Sequence, residues 1–166
     1  MPTTRTKEMI QVNLGLQEDA VSAIVERLDT LLADEHVLYA KTRNFHWNVT
    51  GMQFEPLHEL FEAQYNSLKA MADEIAERTR KLGRRPAGTL RQFLDRTRIA
   101  EADEDTLAAE DMIAALLQDH EQVIRALRSD IDDVADEFGD EGTADLLIGV
   151  IRSHEEMAWM LRSMLE

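Results

Sequence analysis

Apolar residues recur every three or four positions along most of the chain, which is typical of α-helices with one buried face. The pattern predicts four long helices, over about 17–48, 56–82, 103–138 and 142–165. Pro56 at the start of the second and Gly83 just after its end fit the usual positions of these residues at helix termini. With 3 Pro and 7 Gly among 166 residues, the composition also favours an all-α chain.

A long connection follows the second helix and predicts one crossover of the bundle. Within it, Thr89 and Gln92 have the spacing of a capping box, which predicts a short helix over about 90–97. Asp103 is expected to cap the third long helix. A long crossover makes the second and third long helices parallel. We expect residues 1–15 to be a flexible tail and residues 16–166 to be a single four-helix-bundle domain.

Four potential metal ligands share one face of the second long helix, apart from its apolar stripe. At about 100° per residue, Glu62, Asp73 and Glu77 lie about 40°, 60° and 100° from His58. His58 with Glu62, and Asp73 with Glu77, can each hold an ion, but about 22 Å separates the pairs. Two antiparallel copies related by a two-fold axis near Ser67 would bring the pairs together twice. The spacing alone leaves open an ordinary solvated charged face.

A second histidine precedes this helix. His46 comes twelve residues before His58, across a turn that contains Gly51 and Pro56, so the chain returns it towards the helix start. Two imidazoles and three carboxylates without a thiolate form a ligand set suited to Fe(II). The chain has no Cys, which excludes disulfides and thiol catalysis.

The segments HWNVTG, LHELFE and DEIAER resemble the signature of the Dps family, the DNA-binding proteins from starved cells or mini-ferritins. The resemblance extends to GTADLL and HEEMAWML, so it covers nearly the whole chain. It implies a ferritin-like four-helix bundle with a short extra helix in the connection between helices two and three. It also implies a ferroxidase site with His46, His58 and Glu62 from one subunit and Asp73 and Glu77 from its two-fold mate. Glu62 stands where Asp is common in the family.

The resemblance further implies iron storage. Fe(II) would be oxidised at these sites, preferably by hydrogen peroxide and with two irons per site, and ferric mineral would be stored inside a hollow dodecamer. Such a ferroxidase would protect against oxidative stress. The residues leave open whether the oxidant is peroxide or oxygen, and whether one or two ions bind. Asp136, Asp140 and Asp145, before and within the last helix, would line a three-fold pore that admits iron.

The formal net charge of −15 repels nucleic acid and anionic membranes and attracts cations. The N-terminal tail offers only Arg5 and Lys7 for phosphate contacts, so DNA binding is expected to be weak or absent. A DNA-compacting protein of the same fold is the alternative. A heme-type or monomeric di-iron carboxylate protein would need Glu-x-x-His on two helices, and only Glu55 and His58 have this spacing. No signal peptide or membrane-length apolar run is apparent, so a cytoplasmic protein is expected.

The other histidines give no metal signal. His36 is expected at the surface or the edge of the core, and His120 and His154 are expected at the surface. The region 159–160 is expected to pack in the core. Trp47, next to a predicted ligand, either packs in an ordinary way or quenches a stray oxidising equivalent.

Overall fold

The computed structural model describes residues 12–103 and 108–166, and all regular structure in these ranges is helical. The helices are, in chain order, α1 (Glu18–Asn48), α2 (Phe54–Lys81), α3 (Leu90–Arg96), α4 (Ala109–Asp132) and α5 (Glu141–Ser163), with a π-helical turn over Asp133–Glu137 directly after α4. Two hairpins, α1–α2 and α4–α5, pack through α1 against α4 and through α2 against α5. The predicted four-helix bundle with a short helix in its long connection is confirmed. Within the described ranges, no helix has both the length and the apolar character needed to cross a bilayer.

The observed helix ends agree closely with the predicted ones for α1, α3 and α5. Helix α2 begins at Phe54, two residues before the predicted start, and places Pro56 in its first turn. Proline is tolerated there because the first amides of a helix have no intrahelical acceptor.

The start of α4 was predicted too early. The helix begins at Ala109, so Asp103 does not cap it, and Ala108 at the cap position provides no side-chain hydrogen bond. Glu110 and Asp111 lie in the first turn of α4, where their negative charge interacts favourably with the positive end of the helix dipole. Residues 104–107 of the predicted helix and 1–11 of the predicted tail lie outside the described residues.

The core forms where the apolar stripes of the four long helices meet. In the last two turns of α5 the buried positions are taken by Met157, Ala158 and Leu161. Trp159 and Met160 therefore face away from the bundle and are 60% and 37% exposed. The prediction that these two residues pack in the core of their own chain is wrong.

Asp34 anchors the long connection to α1. It is fully buried and accepts hydrogen bonds from the Thr97 hydroxyl at 2.9 Å and from the Arg98 backbone N–H at 2.6 Å. The Arg98 guanidinium also binds its carboxylate, at 2.8 Å from Nε. The capping box of Thr89 and Gln92 is confirmed at the start of α3. These contacts hold the segment that crosses between the hairpins against the bundle.

We expect Asp34→Ala to destabilise the bundle by roughly 1–3 kcal/mol, because the partly buried donors of Thr97 and Arg98 lose their buried acceptor. The control is Glu155→Ala, which removes an exposed ion pair with Arg128 and should cost between about 0 and 1 kcal/mol. Chemical denaturation at one salt concentration measures both changes. Equal and small losses would contradict the anchoring role of Asp34.

Candidate metal centre

The turn between α1 and α2 brings two predicted ligands together. Gly51 in this turn has a φ of 102°, a left-handed conformation that glycine adopts without strain. The Phe54 N–H then donates to the Gly51 carbonyl at 3.1 Å and starts α2. The chain reverses direction within a few residues, so His46 near the end of α1 lies beside His58 near the start of α2.

The two imidazole rings stack with their centroids 3.7 Å apart. Nδ1 of His46 lies 2.7 Å from the carbonyl oxygen of His58, and Nδ1 of His58 lies 2.8 Å from the carbonyl oxygen of His46. Because a carbonyl oxygen can only accept, each Nδ1 carries the proton and donates. In its neutral form each ring therefore keeps its lone pair on Nε2, which is the nitrogen left available for a metal ion.

Glu62 lies one turn after His58 and is exposed. The Tyr65 hydroxyl donates to its Oε1 at 3.4 Å, and the Tyr65 ring meets the His46 ring edge-on with 5.3 Å between centroids. Partial burial and then the charge of Glu62 raise the pKa of Tyr65, so its hydroxyl stays a donor at neutral pH. The sequence reasoning missed Tyr65, although its spacing of three from Glu62 on a helix places the two side by side.

Arg43 is surrounded by aromatic rings beside this pair. Its guanidinium carbon lies 4.8 Å from the ring centroid of Trp47, 5.3 Å from that of Tyr39 and 5.6 Å from that of Tyr65. Such distances allow cation–π attraction. Trp47 is nevertheless 62% exposed, so it does not pack in the core of its own chain. Its role as a quencher stays a prediction.

Asp73 and Glu77 lie farther along α2 and are both exposed. Glu77 lies 3.8 Å from the charged group of Lys81, and both side chains are well exposed, so this pair contributes little. Across residues 12–103 and 108–166, no three His, Asp or Glu side chains of one chain are grouped to hold a metal ion. Since α2 is continuous, one chain does not bring this acidic pair to the histidines.

The three acids predicted for the pore differ in their surroundings. Asp136 in the π-helical turn and Asp145 on α5 are exposed. Asp140 is buried, caps α5 by accepting from the Thr143 N–H at 3.0 Å, and binds Arg78 at 2.8 Å. Burial alone would raise the pKa of Asp140, but the hydrogen bonds from Thr143 and then from Arg78 hold it below its ordinary value.

The prediction that His120 and His154 lie at the surface is wrong, because both are fully buried. His154 Nε2 lies 2.7 Å from Glu35 Oε1, and Nδ1 of His154 lies 2.9 Å from Nδ1 of His120. Burial and then His154 lower the pKa of His120 well below its ordinary value. His36 is half-buried and stacks on Phe93 with 3.9 Å between centroids, which agrees with a position at the core edge.

Comparison with known proteins agrees with this architecture. The ferritin-like domain family matches residues 25–166. A low temperature-induced protein of Nostoc sp. is 45% identical over 158 residues, covering 95% of this chain and 88% of the relative. A DNA protection during starvation protein of Porphyromonas gingivalis is 39% identical over 155 residues, covering 93% of this chain and 96% of the relative.

A solved structure extends the comparison. The Dps protein of Vibrio cholerae O1, described as a member of a broad superfamily of ferritin-like diiron-carboxylate proteins, superposes with a TM-score of 0.87 at 33% identity. The match covers 95% of this chain and 98% of that one. The bundle with its crossover helix α3 is thus a ferritin-like domain. Within that class, the chain belongs to the Dps family, as the resemblance of its sequence motifs predicted.

We expect His46→Gln and His58→Gln each to weaken Fe(II) binding by at least about tenfold, since even outer-shell partners of metal ligands contribute that much. His36→Gln is the matched control, because this histidine also lies on α1 but stacks on Phe93 away from the pair. Anaerobic titration with Fe(II), or with Co(II) as a spectroscopic probe, measures the affinity. Equal affinities in all three variants would contradict the assignment of the two ligands.

Proposed function

We propose that this protein stores and detoxifies iron by oxidising Fe(II) at sites shared between two subunits and holding the ferric product in a hollow homododecamer in the cytoplasm. The observation that carries the proposal is the reciprocal hydrogen bonding of His46 and His58, which engages both Nδ1 atoms and leaves Nε2 of each stacked ring available to a cation. The Dps family membership and the description of the Vibrio relative as a diiron-carboxylate protein support iron as the substrate.

Each site takes ligands from two chains. His46, His58 and Glu62 of one chain face Asp73 and Glu77 of its two-fold mate, and the same arrangement occurs again at the other end of the helix pair. A two-fold interface is self-complementary, so one set of residues forms two identical sites. The uninterrupted α2 helix supports this arrangement, because it separates the two ligand pairs in each chain by about 22 Å.

The residues of the site favour oxidation of bound iron. Carboxylates are hard ligands and stabilise the ferric product more than the ferrous substrate. Two Fe(II) ions supply one electron each to hydrogen peroxide, which takes up two protons and leaves as two water molecules. Because both electrons arrive at one peroxide molecule, no hydroxyl radical is released, and the cell is protected against oxidative stress. Tyr65 contributes by holding the carboxylate of Glu62 beside the His46 ring.

DNA protection is the second candidate function, because relatives carry that name. The observation in its favour is a group of exposed basic residues near the end of α2 and along α3: Lys81, Arg85, Arg91 and Arg96. The net charge of −15 opposes it, and phosphate contacts by so few side chains are weak and salt-sensitive. We therefore propose that DNA binding is weak or absent, which a gel-shift series at increasing salt tests.

The shared site predicts that two inactive variants restore each other. His58→Ala removes a ligand from the first half of the site, and Asp73→Asn with Glu77→Gln removes the second half. Each variant alone loses all its sites. A mixed dimer has one site with both defects and one intact site, so random co-assembly should return about a quarter of the ferroxidase sites.

The measurement is the initial rate of Fe(II) oxidation in shells assembled from co-expressed chains whose mixed composition is verified by mass spectrometry. If each site lay within one chain, every chain would carry a lesion and mixing would restore nothing. Absence of recovery in verified mixed shells would therefore reject the shared site. Mixing each variant with itself is the control.

The proposed iron pore rests on Asp136 and Asp145, since Asp140 is occupied by Arg78 and Thr143 of its own chain. We expect Asp136→Asn with Asp145→Asn to slow iron uptake, and most at low ionic strength, where the field of the acids is least screened. Stopped-flow uptake at two salt concentrations measures the effect. Glu156→Gln, another exposed acid of α5, is the control, and equal rates in all three proteins would show that iron enters elsewhere.

A further inference from the structure

A chain of hydrogen bonds joins three helices inside the bundle. Glu35 on α1 contacts His154 on α5, and His154 contacts His120 on α4, with distances of 2.7 Å and 2.9 Å. All three side chains are fully buried. The family comparison and the proposed iron site assign no role to them.

The direction of these hydrogen bonds depends on whether Glu35 is ionised. An ionised Glu35 can only accept, so Nε2–H of His154 donates to it. Neutral His154 then has its lone pair on Nδ1, which accepts from Nδ1–H of His120. His120 keeps a lone pair on Nε2, and this atom and Oε2 of Glu35 are buried without a partner. This state therefore holds one negative charge and two unpaired acceptor atoms inside the bundle.

A buried charge without a countercharge is costly, and so is a buried acceptor without a donor. One proton removes the charge. It turns Nε2 of His120 from an unpaired acceptor into an unpaired donor, so the loss of the charge is what favours uptake of the proton. We propose that Glu35, His154 and His120 bind one proton in the bundle interior and that the two imidazoles relay it to the carboxylate. The relay then keeps α1, α4 and α5 joined by hydrogen bonds when the pH falls.

The transfer balances along the chain. The arriving proton forms an N–H bond at Nε2 of His120, and His120 passes its Nδ1 proton to Nδ1 of His154. His154 in turn passes its Nε2 proton to Oε1 of Glu35. The product is neutral, both hydrogen bonds have reversed direction, and both imidazoles have exchanged tautomers. Burial and then His154 lower the pKa of His120, which is consistent with a proton that does not remain on that ring.

Charged and titratable side chains on the neighbouring helices surround the relay. On the side of α1 and α4, Lys41 and Asp119 form a buried ion pair at 2.6 Å, and Asp34 is paired with Arg98. On the side of α2, Glu35 lies in the wall of an open groove of about 920 Å³. The titratable side chains that share this wall are His36, Tyr39, Lys69 and Asp73. These two buried pairs are already neutralised internally, whereas an ionised Glu35 beside a neutral His154 has no countercharge among the described neighbours.

The test is ¹⁵N solid-state NMR of the assembled, iron-free protein with labelled histidine rings. The pH is lowered from about 8 to about 4, the range in which ordinary histidine and glutamate titrate. We expect His154 to change from the Nε2–H to the Nδ1–H tautomer and His120 to change in the opposite sense, with one shared midpoint. His120→Gln identifies the signals. Imidazolium at either residue, or unchanged tautomers across the whole range, would overturn the proposal.

A second measurement follows the carboxylate. Acid-minus-neutral infrared difference spectra of the wild type and of Glu35→Gln should differ by one carboxylic acid C=O band per chain, with the midpoint of the tautomer exchange. Glu156→Gln, which removes an exposed acid of α5, should not alter the midpoint of that exchange. If the band of Glu35 appears while the tautomers stay unchanged, the relay is rejected. Both measurements are made without iron, so failure of the iron-storage proposal leaves their outcome unaffected.

Discussion

The continuity of α2 is the constraint on which the rest of the molecule depends. A helix rises about 1.5 Å per residue and does not fold back, so ligands on one face at a spacing of fifteen residues cannot meet within a chain. The hairpin with α1 brings His46 to His58, which together form one half of the proposed site, and it leaves Asp73 and Glu77 exposed. Each α2 helix therefore carries one half of the proposed site near its start and the other half about fifteen residues later. Such a surface is complementary to itself under two-fold rotation, so the ligand spacing and the proposed assembly have a single geometrical origin.

The sequence predicted the bundle well because helix periodicity and end signals are local. The capping box at Thr89 depends on residues three apart, and the predicted limits of α1, α3 and α5 lie close to the observed ones. The predicted start of α4 was wrong because it relied on side-chain type alone. Asp103 has a suitable side chain for a cap, but the path of the connection decides where a helix can begin. The positions of His46 and His58 were predicted through the turn between them, but their reciprocal bonds to backbone carbonyls depend on the packing of two helices.

The buried histidines show where the sequence held a signal that the reasoning passed over. His120 follows the buried Leu116 by four positions and precedes the buried Val123 by three, so it lies on the apolar stripe of α4. His154 lies four positions after Val150 on the stripe of α5. The charged neighbours of His120 favoured a surface position, although adjacent residues on a helix point in different directions. For these two histidines, position on the apolar stripe indicated burial better than the polarity of the residue or of its neighbours did.

The second hydrogen bond of each imidazole decides what its free nitrogen can do. At the His46–His58 pair, backbone carbonyls hold both Nδ1 protons, so two Nε2 lone pairs remain available to a cation. In the interior, His154 uses both nitrogens within the chain, one towards Glu35 and one towards His120. Three ligand-type side chains from three helices are thus engaged with one another, and their geometry suits the movement of a proton better than the binding of an ion. A ferritin-like bundle can place metal ligands in its core, but for this chain we propose iron chemistry at the interface between subunits and proton exchange inside the bundle.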